Sequence, residues 1–337
     1  MTVLVTGGAG FIGSHIVDSL VEGGSFGANP KVVVLDDLSG GFRENVHPSA
    51  EFVEGSITNS LLIDRLFSHH KFDYVFHSAA YAAEGLSHFI RNFNYTNNLL
   101  GSINLVNNAV CHGCKCFVFL SSIAVYGIAI QLPTREDVEP HPEDPYGIAK
   151  YAVELDLEAA RRMFGLNYII FRLHNVYGER QNVGDPYRNV IGIFMNQILK
   201  GLPCPIFGDG TQTRAFTHVL DVAPIIVKSA LFPVAFNRVF NIGSDVVCSV
   251  NELAGKVQMV MGKKTGVVYL PERKEVLHAY SDHSKLREIL GVEPTITLSE
   301  GLKRMAGWAK LYGAKKGKPF GKIEIEKELP ESWRKLC

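Results

Sequence analysis

The sequence predicts an α/β fold, a doubly wound parallel sheet followed by a smaller C-terminal substrate-binding domain. Three observations carry this expectation. Short apolar strand patterns alternate with helical patterns along the first half of the chain, at the spacing of βαβ units. A glycine cluster joins the first strand to the first helix. After about residue 178 the spacing loses its regularity and Pro/Gly-rich loops appear at 201–214, as a second lobe would require.

The first element is the strand Val3–Val5, which runs through Thr6-Gly-Gly-Ala-Gly-Phe-Ile-Gly13 into a helix over 12–22, with Phe11, Ile12, Ile16 and Leu20 on its apolar side. Gly7 and Gly8 permit a tight reversal, Gly10 lets the backbone approach a pyrophosphate, and Gly13 lets the helix pack closely on the strand. The free N–H groups at that helix start, near Phe11 and Ile12, suit phosphate oxygens. A second strand, Lys31–Leu35, ends in Asp36 with Asp37 beside it. An acid about 20 residues past the glycines binds the adenosine ribose hydroxyls and would repel a 2′-phosphate, so the cofactor expected is NAD. Capping of a loop is the plainer role for the same two aspartates. The pattern then continues through strands at Phe52–Glu54, Tyr74–His77, Phe117–Ser121 and Tyr168–Arg172, with helices at 60–69, 88–112 and 146–164. Six strands with covering helices make a Rossmann sheet over 1–178, with the chain re-entering it around 215–245, and 179–337 forms mainly the substrate domain.

Composition narrows the function. With 337 residues, 46% of them apolar, the chain can bury a large core. Its formal net charge is zero and it has no basic patch, which argues against nucleic acid or an anionic membrane as partner and for a small molecule. No apolar run reaches membrane-spanning length and no basic leader precedes the first strand, which points to the cytosol. The six cysteines fit that compartment as free thiols. Cys111, Cys114 and Cys116 lie close together, but no second Cys/His pair stands at zinc spacing, so no metal is expected. The tail from Gly313, rich in Lys and Glu, reads as a solvated end.

Tyr146 and Lys150 lie one helical turn apart on the same face of a predicted helix. A lysine so placed favours the phenolate and makes a usable base of a group whose ordinary pKa is about 10. The spacing alone decides little, since Tyr312 and Lys316 repeat it near the C-terminus. What distinguishes the first pair is Leu120-Ser121-Ser122-Ile-Ala-Val-Tyr-Gly127, a segment closing a predicted strand where parallel sheets open their ligand sites. A serine, a tyrosine and a lysine then converge.

Together with Arg172-Leu-His-Asn-Val-Tyr-Gly178, Gly208-Asp-Gly-Thr-Gln-Thr-Arg214 and Asn241-Ile-Gly243, these motifs resemble the extended short-chain dehydrogenase/reductases. Within them the chain is most similar to the nucleotide-sugar epimerases of the NAD-dependent epimerase/dehydratase family, typified by UDP-glucose 4-epimerase. The resemblance implies that Tyr146 takes the proton of the sugar 4-OH, aided by Ser122 and Lys150, while hydride passes from C4 to a retained NAD and back to the other face. It further implies that Asp36 holds the adenosine ribose, that Ser56 and Ile57 lie by the adenine, and that Ala79 and Ala80 lie by the pyrophosphate. Asn98 would line the cofactor channel and Tyr177 the nicotinamide end. On the substrate side it implies Asn175, Arg214 and Arg273 at the diphosphate of a UDP-sugar, with Asn189 and Phe207 along the uridine. Guanidinium groups suit a diphosphate because they bind its oxygens bidentately, although either arginine could instead form a surface ion pair.

Departures from the family pattern bear on the substrate. Ser56 and Ala215 stand where Asp is usual. Ile123 and Ala124 follow Ser122 where dehydrating relatives carry acids, which argues against dehydration. The segment Tyr81–Ser87 lacks the basic residue expected in hexuronate enzymes, and Glu84, if it faces the sugar, would repel a C6 carboxylate and favour a neutral hexose. An exposed loop position accounts for Glu84 equally well. Ala279 falls at the position that gates N-acetylated sugars, and its small side chain leaves room for one. The helices at 88–112 and 146–164 resemble the pair that builds a homodimer in this family, although their apolar faces could simply cover the sheet.

Overall fold

The computed structural model describes residues 1–24, 26, 30–128, 131–273 and 275–334. In chain order the strands are β1 (Thr2–Thr6), β2 (Lys31–Asp36), β3 (Glu51–Glu54), β4 (Tyr74–His77), β5 (Cys116–Ser122), β6 (Tyr168–Leu173), β7 (Asn175–Tyr177), β8 (Cys204–Phe207), β9 (Thr213–His218), β10 (Arg238–Ile242), β11 (Val247–Ser249), β12 (Val267–Leu270) and β13 (His278–Ala279). The α-helices are α1 (Phe11–Glu22), α2 (Ser60–His70), α3 (Glu84–Ser87), α4 (Arg91–Tyr95), α5 (Gly101–Cys111), α6 (Pro145–Phe164), α7 (Val190–Leu199), α8 (Val219–Ser229), α9 (Val250–Met261), α10 (Ser284–Leu290), α11 (Leu298–Tyr312) and α12 (Glu331–Arg334).

Seven strands form one sheet in the order β10-β6-β5-β4-β1-β2-β3, all parallel. This is the doubly wound Rossmann arrangement. Because successive strand residues point to opposite faces, neighbours divide between two cores. Val3, Val5, Phe76, Val118 and Phe171 pack under α1 and α8, whereas Leu4, Val33, Val75, Phe117 and Phe119 pack under α2, α5 and α6. The chain order reverses between β1 and β4, so a crevice opens there at the carboxyl ends of the strands.

The structure adds β10 as a seventh strand beside β6, through the register Arg238–Ile169 to Ile242–Leu173. The expected helix over 88–112 is broken into α4, a π turn at Thr96–Leu100 and α5. At the break the Asn98 amide leaves the helix surface and takes both backbone polar groups of Tyr81. Helix α6 begins as its sequence dictates, with Asp144 capping the Gly147 N–H at 2.9 Å and Pro145 in the first turn, and ends at Gly165 in the left-handed region.

The second lobe packs α7, α9 and α11 around Phe194, Met195, Leu253 and Met305. Its strands β7, β9, β11 and β13 form a small sheet that brings Arg214 opposite Ala279. The tail departs from the solvated end expected of it. Leu329 and Trp333 are buried among Ala83, Leu86, Ile90 and Tyr187, so the chain end returns to the cleft. Residues 335–337 of that tail lie outside the described residues.

Candidate active site

A single cleft of about 1970 Å³ runs along the carboxyl ends of the sheet and on between the two lobes. Pockets for one small molecule usually span 300–1,000 Å³, so this one has room for two.

At the sheet end the wall is mostly backbone. Gly7 has φ +71°, and a β-carbon there would lie 2.7 Å from the Ala79 backbone. A β-carbon at Gly13 would overlap the Gly7 carbonyl and lie 2.6 Å from Ser78 Oγ. Neither position admits a side chain. Gly10, Phe11 and Ile12 border the same wall, and the start of α1 there turns its free N–H groups inward. Asp36 closes it. Its carboxylate accepts the Ala9 N–H at 3.0 Å and the Leu38 N–H at 2.8 Å, and burial pushes its pKa up despite those bonds. Each oxygen keeps a lone pair for a ligand hydroxyl. Asp37, Ile57, Ala79 and Ala80 line the cleft beside it.

The middle of the cleft carries the reactive groups. Ser122 ends β5, where its Oγ accepts the Ala124 N–H at 3.1 Å. Tyr146 stands in the first turn of α6, 7% exposed. Burial raises its phenol pKa well above the ordinary value, while a hydrogen bond with Ser122 lowers it. Lys150 follows one turn later, donating to Leu120 O at 2.8 Å with Nζ 5.8 Å from the Tyr146 ring centre. Burial brings the Lys150 pKa down to about 7, against the pull of Glu154. Behind the lysine lies a buried support. Glu154 accepts Ser121 Oγ at 2.5 Å and pairs with Arg172 Nη2 at 2.6 Å, and that guanidinium sits 4.7 Å over the Tyr126 ring.

The far end is built by side chains of the second lobe. Arg214 donates to Thr213 O and Leu277 O, each at 2.9 Å, and to Val276 O at 2.6 Å. Arg273 is held differently. It rests 3.8 Å over the Phe207 ring and 5.3 Å from Trp333, its Nη2 lies 3.5 Å from Glu275, and its buried Nε has no hydrogen-bond partner among the described residues. An orphaned, desolvated guanidinium N–H at a cleft wall calls for an anionic ligand. Asn175, whose amide donates to Ala215 O, and Asn189, at φ +67° before α7, line this end with Phe207 and Ala279.

Two residues singled out from the sequence, Asn98 and Ser56, do not border the cleft, and a third, Tyr177, borders it with its ring buried. Asn98 does not border the cleft; its amide is spent on Tyr81 and Asn94, and Asn97 faces the cavity instead. The Tyr177 ring is 1% exposed, packed against His218, and its hydroxyl donates to Leu298 O at 3.3 Å, so no phenol is presented to a ligand. The Ser56 hydroxyl is engaged with Thr58, while Gly55 and Ile57 form the wall on either side.

The sequence reasoning missed two others. Arg188 lines the cleft, pairs with Asp185 at 2.7 Å and lies 4.9 Å over the Tyr81 ring. The Asp185/Arg188 spacing was its one local signal. Trp333 reaches the cleft from the tail, with no pattern around it to give notice.

Residues 3–243 match the model of the NAD dependent epimerase/dehydratase family. The structure is similar to the crystal structure of a UDP-glucose 4-epimerase with UDP-glucose from Thermotoga maritima, with 40% identity, TM-score 0.85, and 93% of this chain and 99% of that one covered. It is also similar to a UDP-glucose 4-epimerase in complex with NAD from Thermus thermophilus, with 31% identity, TM-score 0.85 and coverage of 91% and 98%. A third is a UDP-N-acetylglucosamine 4-epimerase from Methanobrevibacter ruminantium in complex with UDP-N-acetylmuramic acid, with 32% identity, TM-score 0.83 and coverage of 91% and 97%.

Proposed function

Since the chain belongs to the NAD-dependent epimerase/dehydratase family and its cofactor is NAD, we propose that it interconverts UDP-glucose and UDP-galactose. One observation carries this reading. Tyr146, beside Ser122 and Lys150, lies between a glycine cradle fit for a dinucleotide and an arginine pair fit for a diphosphate, all in one cleft.

The glycine loop and the start of α1 would take the NAD pyrophosphate, a region a β-carbon at Gly7 or Gly13 would fill, and Asp36 the adenosine ribose. Bound NAD supplies an acceptor for the C4 hydride and returns it. Tyr146 takes the 4-OH proton and gives it back, Ser122 holds the same oxygen, and Lys150 compensates the phenolate charge. Arg273 and Arg214 hold the diphosphate while the sugar turns over. Ile123 and Ala124 place no acid directly after Ser122, where dehydrating relatives carry one. That favours epimerisation over dehydration.

The test is to incubate the purified protein with UDP-galactose and no added cofactor, following products by NMR. UDP-glucose should appear with no net loss of NAD, and Tyr146→Phe should keep its NAD while turnover falls by roughly 10²–10⁴-fold. Consumption of NAD in proportion to product would instead identify a dehydrogenase. A second substrate, UDP-N-acetylglucosamine, is favoured by Ala279, which lines the cleft opposite Arg214 with only a methyl group.

The proposal extends to a homodimer in the cytosol. Ile148 and Leu155, seven residues apart on α6, leave 40% and 47% of their surface uncovered, with Met163 at 76% further along. Such a stripe fits the same helix of a second copy. Sedimentation should give twice the 37.2 kDa chain mass, and a monomer would refute it.

A further inference from the structure

Glu84 is the acidic group between the catalytic tyrosine and the arginine pair, and nothing described so far uses it. It opens helix α3, and its carboxylate, open to the cleft, makes no hydrogen bond among the described residues. Its side chain is exposed and lines the cavity. Desolvation within the cleft, with Asp144 and Glu275 adding to it and Arg214 and Arg273 opposing, raises its pKa to about 7.

The position of this side chain is built. Ser87 Oγ donates to Glu84 O at 2.6 Å and lies 3.3 Å from Asp144 Oδ1, the cap of the catalytic helix. On the other side Gly85 faces Trp333, whose Cη2 would lie 3.3 Å from a β-carbon there. The turn is thus clamped between the helix that carries Tyr146 and the chain end. Glu84 is also close enough to Tyr146 to raise the phenol pKa. Glu84 lines the same cleft as Tyr146, Arg214 and Arg273 and acts electrostatically on all three, so a UDP-sugar that spans them lies within its field.

We propose that Glu84 is a specificity-determining residue: its carboxylate faces the hexose and excludes substrates with a carboxylate at C6, which restricts the site to neutral sugars. The inference rests on the UDP-sugar reading above. Two like charges brought together in a cleft repel, and the repulsion is relieved when one of them takes up a proton. A neutral hexose offers hydroxyl donors to the same oxygens. The charged groups that act on Glu84 are Asp144 of α6 and Arg214, Arg273 and Glu275 of the second lobe; Glu84 in turn acts on Tyr146 of α6, and His88, Glu143, Arg188 and Glu331 line the same cavity. Arg214 and Arg273 oppose its charge, and a bound diphosphate engages both.

The experiment compares kcat/KM for UDP-galactose and UDP-galacturonate in the wild-type protein and in Glu84→Gln, with bound NAD as the control for folding. At about pH 8.5, where Glu84 is ionised, Glu84→Gln should raise the uronate-to-hexose ratio by at least about tenfold. In the wild type that ratio should climb as pH falls through about 7, because protonation removes the repulsion. In Glu84→Gln the climb should vanish. If both proteins epimerise UDP-galactose with the same ratio and the same pH profile, the inference about Glu84 is wrong and the epimerase reading stands. If the wild type, with NAD bound, converts neither sugar, the epimerase reading itself fails. Should Glu84→Gln not retain NAD, Glu84→Ala serves for the same comparison.

Discussion

The two ends of the cleft are built by opposite means. At the sheet end the key positions, the glycines of the turn after β1 and Asp36, lie within the span from β1 to β2, so one local turn shapes most of the wall, with Asp37, Ile57, Ala79 and Ala80 beside it. At the sugar end the wall consists of side chains from Glu84, Arg214, Arg273 and Trp333, which come from four separate stretches of chain. The first kind of site is rigid because nothing larger than hydrogen fits at its key positions. The second depends on how two lobes and a chain end are held together, and its chemistry can change without disturbing the sheet.

That contrast predicts where substitutions act. Gly13→Val places side-chain atoms where the Gly7 carbonyl and Ser78 Oγ already stand, so α1 must move off the strand that carries the turn. Overpacking of this kind costs about 1–3 kcal/mol. The expected outcome is the largest of all: NAD absent from the purified protein, no turnover, and a thermal midpoint lower by a few degrees. Full NAD occupancy in Gly13→Val would break the comparison, since it would mean that the backbone wall tolerates reshaping.

The same contrast explains what could be read in advance. Gly7, Gly10, Gly13 and Asp36 were legible because strand, turn, helix and second strand lie in sequence, each with its own periodicity. Tyr146 and Lys150 were legible because one helical turn fixes their relation. Asn98 was misplaced because a π turn redirects its side chain, and no helical pattern signals such a turn. Tyr177 borders the cleft, but the direction of its hydroxyl was not legible, because a tyrosine at a strand end can face a ligand or a core equally, and here Leu298, in a later segment, takes that hydroxyl. Glu84 stayed ambiguous for a related reason. A carboxylate on a loop looks the same in sequence whether it meets bulk water or a cleft, and only the packing of α6 and α12 decides between them.

The tail is the sharpest instance, because its composition suggested solvent and its packing reaches the substrate end. The Trp333 ring meets Tyr187 edge-on at 5.3 Å and Phe89 at 6.3 Å, lies 5.3 Å from the Arg273 guanidinium, and covers Gly85 next to Glu84. None of these contacts is with the glycine wall. Trp333→Ala should therefore leave bound NAD unchanged and raise KM for the UDP-sugar, because Arg273 loses one of its two aromatic supports and the Glu84 turn loses its cover. A cation–π contact of this kind is worth about 0.5–1 kcal/mol where it is partly exposed. The KM increase should then be about 2-fold to 5-fold, the smallest effect considered. If Trp333→Ala instead releases NAD, the two ends of the cleft are coupled through the tail, and the division between a backbone-built half and a side-chain-built half does not describe how this protein works.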